Sequence, residues 1–382
     1  MRLSKTAAVG GAIASVMAAH SSAQTPTLAF RSPARDVSVA TVAFDTDGGT
    51  TLAMDVYRRP ATKRQRAVLV FFNRASGADR RSPLYDGWAR AAASHGLVGV
   101  VPDLRDGNQA RDFQALIRYL TSHGAALGVD TTAIAVYAAS GNVSTAWPLL
   151  ERADAGSVKA AVIYYGTASV ARFRRDLPVL YVRAGLDWPG VNEEIMVIAS
   201  HAIAQNAPLT VLNYPNGYHG FELFNDDDAT RAVIEQTLSF VVQATSRPYR
   251  LALAARSREA AAAGAVQTGD YHEAAAIYAE LRRDRPEDAR LGLSYGESLL
   301  GDGEYRTACA LFATLENKGL GPRELGVPAA RACALAGDGD AALAWLRSIP
   351  TRFLPASLAT DSAFATIRHR SEFRALFSSP PG

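Results

Sequence analysis

Eight short runs rich in β-branched and aromatic residues lie between Val37 and Tyr214: "VSVATVAF", "LAMDVY", "AVLVFF", "LVGVVP", "AIAVYA", "KAAVIYY", "PVLYVRA" and "LTVLNY". Several are apolar at every position, which a strand tolerates only when both faces of its sheet are covered. Between them, "RDFQALIRYLTSHGAAL" and "NEEIMVIASHAIAQ" are long enough to form helices. This alternation, from about 37 to 242, predicts an α/β domain with a predominantly parallel sheet and excludes an all-β sandwich. A chain of 382 residues with 48% hydrophobic content has enough apolar surface for more than one cooperative core.

Beyond about Ser246 the β-rich runs stop, and Ala-rich helical sequence follows, with "SRPYR" at the junction. A register of 34 residues links Gly269, Gly303 and Gly337. It also links Ala274, Ala308 and Ala342, and then Tyr278, Phe312 and Leu346. Small residues permit close helix approach and large ones fill the space between turns, the logic of stacked helical hairpins. Over residues 255–350 this resembles tetratricopeptide repeats, with Gly296 at the small first-helix position and Pro286 near a repeat end. The family's usual first-helix Trp is absent, and Ala262 and Ala330 stand where it has Gly. The domain reading is therefore 27–245 for the α/β part and 250–382 for an all-α helical-repeat part.

The N-terminus "MRLSKTAAVGGAIASVMAAHSSAQTPTL" places Arg2 and Lys5 before a short apolar core, then Ser21, Ser22 and Ala23 before Gln24. That is the pattern of a cleavable export signal over residues 1–23, too short to span a bilayer reliably. It implies a periplasmic or secreted protein without stable membrane insertion. Forty Lys and Arg against 37 Asp and Glu give a formal charge of +3, and removal of the leader takes away two basic residues. With no long Lys/Arg block, nucleic-acid binding has no support. An oxidising compartment would allow Cys309 and Cys333 to pair; each also reads as a small buried residue.

In "VYAASGNVSTA" a strand ending near Ala138, a turn at Ser140 and a helix from Asn142 would lift the serine hydroxyl above the sheet edge. Taken alone, Ser-Gly is an ordinary turn. Two further loops change that reading: "PVLYVRAGLD" ends a β-rich run and then places Asp187 in the following loop, and "LTVLNYPNGYHGF" ends another and places His219 in its loop between Gly217 and Gly220. Loops at the carboxyl ends of parallel strands converge on one crevice. A serine nucleophile needs a base, and an imidazole base needs a carboxylate to fix its tautomer. The order Ser140, Asp187, His219, together with "YHGF" and the following "NDDDATRAVIEQTLSFV", resembles the α/β-hydrolases of the dienelactone-hydrolase and prolyl-oligopeptidase-like esterase group.

The resemblance covers residues 37–245. It implies an α/β-hydrolase sandwich that cleaves esters, lactones, peptides or related acyl compounds without a metal. It also implies catalytic roles for Ser140, Asp187 and His219. The oxyanion donors would be the backbone N–H groups of Gly141 and Arg74. The chain departs from the usual G-x-S-x-G at Ala138 and Asn142, and Asn73-Arg74 replaces the His-Gly that opens the neighbouring loop in many relatives.

Other polar residues read as structural. His95, His123 and His201 belong to helix ends or faces, and Asp226, Asp227 and Asp228 favour a helix N-terminus. Glu193 and Glu194 fall in the helix after Asp187, and Ser144 caps or packs locally. Arg105 is expected to pair with Asp103 or Asp106. No phosphate loop or dinucleotide fingerprint follows the early strands, so no cofactor is expected. The function expected is a serine hydrolase acting on a small-molecule ester, lactone or other acyl substrate. The alternative is an exported binding or scaffold protein with a weakened hydrolase-like domain. The helical tail would either recruit a peptide or protein partner or serve as a stabilising appendage.

Overall fold

The computed structural model describes residues 36–60, 64–73, 80–152, 156–170 and 172–378. Residues 1–23, read above as an export signal, and Arg74 lie outside them. All eight apolar runs are strands: β1 (Ser38–Asp47), β2 (Thr50–Arg58), β3 (Arg66–Phe72), β4 (Val98–Pro102), β5 (Val129–Ala139), β6 (Val158–Tyr164), β7 (Val179–Ala184) and β8 (Leu209–Tyr214). They form one sheet in the order β1-β2-β4-β3-β5-β6-β7-β8. β1 and β2 form an antiparallel pair, β2 lies antiparallel to β4, and every other pairing is parallel.

Helices α1 (Pro83–Ser94), α2 (Gln109–His123), α3 (Asn142–Leu150), α4 (Pro189–Ala204), α5 (Phe221–Phe224) and α6 (Asp228–Thr245) complete this part. The pleat sends alternate side chains to opposite faces. Val68, Val70 and Phe72 join Ile134 and Val136 in one core layer, with Phe113 and Leu116 of α2, Trp147 of α3 and Ile195 of α4. Leu69 and Phe71 join Ala135 and Tyr137 in the other layer, with Trp88 of α1 and Leu238 of α6. The central runs carry no polar alternation because both of their faces are buried.

From β3 the chain goes to β4 on one side and then crosses to β5 on the other. The order reverses between β3 and β5, and a crevice opens at the carboxyl ends of strands at such a point. Ser140 follows β5 there.

The chain divides into two compact units after Leu251, a point within helix α7 (Arg247–Thr268). Next come α8 (Tyr271–Asp284), α9 (Ala289–Gly301), α10 (Tyr305–Leu315), α11 (Pro322–Leu335), α12 (Gly339–Ser348) and α13 (Ser371–Phe377), with no strand among the described residues. The 34-residue register is a structural one. Gly269, Gly303 and Gly337 adopt φ of 80°, 85° and 88°, the left-handed conformation that ends a helix and suits glycine. Ala274, Ala308 and Ala342 are fully buried, and Tyr278, Phe312 and Leu346 fill the space beside them. At Gly296 a Cβ would stand 2.5 Å from the Phe312 ring, so α9 and α10 approach at the position where only glycine fits. Cys309 and Cys333, left open by the sequence, are joined in a disulfide between α10 and α11. No described helix is long and apolar enough to cross a membrane.

Candidate active site

Ser140 occupies the turn between β5 and α3 with φ 53°, a left-handed conformation that a serine adopts only where surrounding structure enforces it. The enforcement is visible on the neighbouring strand. The Ser140 N–H donates to Tyr164 O at 2.9 Å, and the Val143 N–H to Ser140 O at 3.0 Å. At Gly166 any Cβ would collide with the Ser140 carbonyl oxygen and with Val143. The serine's own amide is thus taken, and the next amide along the turn belongs to Gly141, at the start of α3, where helical amides lack internal partners.

The Ser140 hydroxyl lies 2.7 Å from His219 Nε2, and His219 Nδ1 lies 2.8 Å from Asp187 Oδ2. The Asp187 side chain is fully buried, and its other oxygen accepts the Trp188 N–H at 2.7 Å. A carboxylate only accepts, so Nδ1 carries the proton and donates to Asp187, leaving Nε2 to receive the serine's. The three side chains therefore form a Ser-His-Asp triad. Backbone bonds hold its loops together beyond the strand ends: Gly185 N–H to Tyr214 O at 2.7 Å and Leu186 N–H to Gly217 O at 2.9 Å. The rings of Tyr165 and Trp188 flank the imidazole, with centroids 4.6 and 4.9 Å away.

Asn142, in the place of the usual glycine, is nearly buried and points its amide nitrogen toward the Tyr85 hydroxyl at 3.4 Å. Arg105 pairs with Asp112 and Asp47, in place of the expected Asp103, which Arg80 holds at 2.9 Å. Arg80 also reaches Asp55 at 2.7 Å, so this cluster ties β2 to the end of β4. Asp227 caps α6 through the Thr230 N–H, while Asp226 and Asp228 pair with Arg231. Ser144 bonds back to Gly141 O, and Glu193 and Glu194 face solvent on α4. His95 bonds Ala91 O and Glu235, His123 stacks on Tyr119, and His201 is exposed.

Two residues beside the triad escaped the sequence reading. Glu222, three residues after His219, is fully buried; its Oε1 accepts the hydroxyls of Tyr165 and of Tyr137, the latter at 3.2 Å. Burial holds its carboxyl above the ordinary range, opposed in part by those hydrogen bonds and by His219. Tyr165 has φ 29°, a second left-handed residue one strand away from Ser140. The only sequence signal was a lone carboxylate inside the apolar stretch "GFELF".

The dienelactone hydrolase family model matches residues 110–246, a span that contains all three triad residues and a little over a third of the chain. Solved structures similar to the chain include a bacterial heroin esterase, 14% identical, covering 62% of this chain and 89% of its own, with a TM-score of 0.47. An esterase from Pyrobaculum calidifontis is 18% identical, with coverages of 56% and 87% and a TM-score of 0.47. One from Pseudomonas putida is 15% identical, with coverages of 56% and 84% and a TM-score of 0.47. No curated protein matches the sequence. The fold assignment rests on the strand order, and the site on its own distances.

Proposed function

We propose that the protein is a carboxylic ester hydrolase working through an acyl-enzyme on Ser140. The observation that carries this is the continuous hydrogen-bonded line from Ser140 Oγ through His219 to buried Asp187. His219 Nε2 takes the hydroxyl proton as Oγ attacks the ester carbonyl carbon, and the negative charge gathers on the carbonyl oxygen. Gly141 N–H donates to that oxygen; a second donor would come from the loop after Asn73, where Arg74 N–H is the assigned group. One such donor is worth about 10²–10³ in turnover. The C–O bond then breaks, Nε2–H protonates the departing alkoxide, and a water activated by the same nitrogen releases the acid and restores Ser140.

Leu186, Trp188 and Tyr218, which neighbour Asp187 and His219 in sequence, are exposed apolar side chains. They favour an ester with an apolar acyl or alcohol portion over a charged one. A matched panel of esters, lactones and peptides on wild type and Ser140→Ala tests the assignment. Ester turnover is expected to be highest and to vanish in the variant. Peptide turnover above ester turnover, lost in the same variant, would retain the triad and overturn the substrate class.

The alternative of a scaffold with a weakened catalytic domain rests on the altered elbow sequence. The left-handed Ser140 and its 2.7 Å contact with His219 disfavour it. We further propose that the chain is exported to the periplasm or secreted, in keeping with its leader-like N-terminus and with the Cys309–Cys333 bond, which persists in oxidising compartments. The 34-residue register supports a tetratricopeptide-like identity for the helical unit, and with it a peptide or protein partner.

A further inference from the structure

We propose that Glu222 and Tyr165 are positioning residues of the triad, whose mutual hydrogen bond ties the end of β6 to the histidine loop and so sets the Ser140–His219 contact. This rests on the hydrolase reading above. Two strand ends have to meet for that contact to form. The β5 end, carrying Ser140, is fixed against the β6 end through Ser140 N–H to Tyr164 O and through the space left free at Gly166. Tyr165 lies between those two residues. It is buried, its backbone is left-handed at φ 29°, and its ring lies 4.6 Å from the His219 ring.

The Tyr165 hydroxyl donates to Glu222 Oε1. Glu222 begins only three residues beyond His219, in the short helix α5 that follows it. The bond therefore closes a circuit: Ser140, the β6 end, Tyr165, Glu222, the histidine loop and back to Ser140. Tyr137 of β5 adds a second hydroxyl to the same oxygen at 3.2 Å, so the nucleophile's own strand is held too. Packing alone gives no reason for a carboxyl at this position. Its Oε2 has no hydrogen-bond partner among the described residues, and a bare buried polar atom destabilises a fold. An apolar side chain would fill the space without that cost, but it would release both tyrosines.

The test uses the full chain with Tyr165→Phe, Glu222→Gln and Glu222→Leu, each rate expressed per folded molecule by circular dichroism. Tyr165→Phe keeps the ring against His219 and loses only the tie; kcat is expected to fall about tenfold, with KM within about twofold. Glu222→Leu should fall by a similar factor, whereas Glu222→Gln, which keeps a carbonyl acceptor for both hydroxyls, should stay within about threefold of wild type. Wild-type kcat in Tyr165→Phe, or equal losses in the Gln and Leu variants, would overturn the proposal. Should wild type turn over no ester, the hydrolase reading fails separately, and proton NMR still decides this one. The downfield resonance of the His219 Nδ1–H should be sharp in wild type and broadened in Tyr165→Phe. An unchanged resonance would refute the tie.

Discussion

Gly166 stands against Ser140 so closely that no side chain fits between them: a Cβ there would strike the Ser140 carbonyl oxygen and the Val143 side chain. The left-handed turn that presents the nucleophile is therefore shaped by a glycine just beyond the end of the adjacent strand as well as by its own small neighbours. Gly166→Ala is expected to destabilise by about 1–3 kcal/mol, the range for overpacking a tight site. It should also lower ester turnover by about 10²-fold as Ser140 shifts from His219. Denaturant unfolding and steady-state kinetics check both. A variant with wild-type stability and turnover would show that the turn does not depend on this contact.

Asp187→Asn keeps the shape of the side chain and removes the charge that orients His219 Nδ1–H. Turnover is expected to drop by roughly 10⁴-fold, as for the equivalent change in serine proteases, with the far-ultraviolet circular dichroism spectrum unchanged. A folded variant within tenfold of wild type would mean that the Asp187–His219 bond at 2.8 Å does not orient the base.

Glu222 should leave a signature in the pH dependence of stability. Its carboxyl is held above the ordinary range by burial, so between the unfolded value and the raised folded one the native state binds more protons. Stability linked to this group is then fully present below the unfolded value and is lost as pH rises through the folded one. Around the carboxyl, Tyr85, Tyr137, Tyr164 and Tyr165 are kept neutral by burial, and His219 is common to wild type and variant. The stability of Glu222→Gln relative to wild type should therefore climb from about pH 4.5 upward, by at most about 1.4 kcal/mol per pH unit. Urea unfolding of both proteins across that range checks the slope; a constant difference would place the folded value in the ordinary range.

The disulfide between Cys309 and Cys333 closes a loop of 24-residue separation. Restricting the unfolded chain by a loop of that size is worth about 3 kcal/mol. Replacing both cysteines by alanine, or adding reductant, should lower the stability of the helical unit by that amount and its unfolding temperature with it. Equal melting with and without reductant would show that the bond contributes nothing.

The triad was legible because each member lies in the loop that follows a β-rich run, and in a parallel sheet the position after a strand fixes which edge a residue reaches. The helical register was legible for a similar reason: Gly269, Gly303 and Gly337 end helices at equal spacing, and local chemistry decides a helix end. Contacts between distant elements were not. Arg105 was paired with its nearest carboxylates, whereas its partners are Asp112, on the next helix, and Asp47, on the first hairpin. Tyr165 and Glu222 meet across 57 positions, and neither "VIYYG" nor "GFELF" carries a pattern that announces the other.

In the proposed hydrolysis Ser140 is the nucleophile and His219 activates it. An active-site serine phosphonate, followed by peptide mass mapping, reads it most directly. The expected result is a single adduct on Ser140 in wild type, none in Ser140→Ala, and labelling slowed by orders of magnitude in folded His219→Ala. Equal labelling of wild type and Ser140→Ala, or an adduct on another residue, would contradict it.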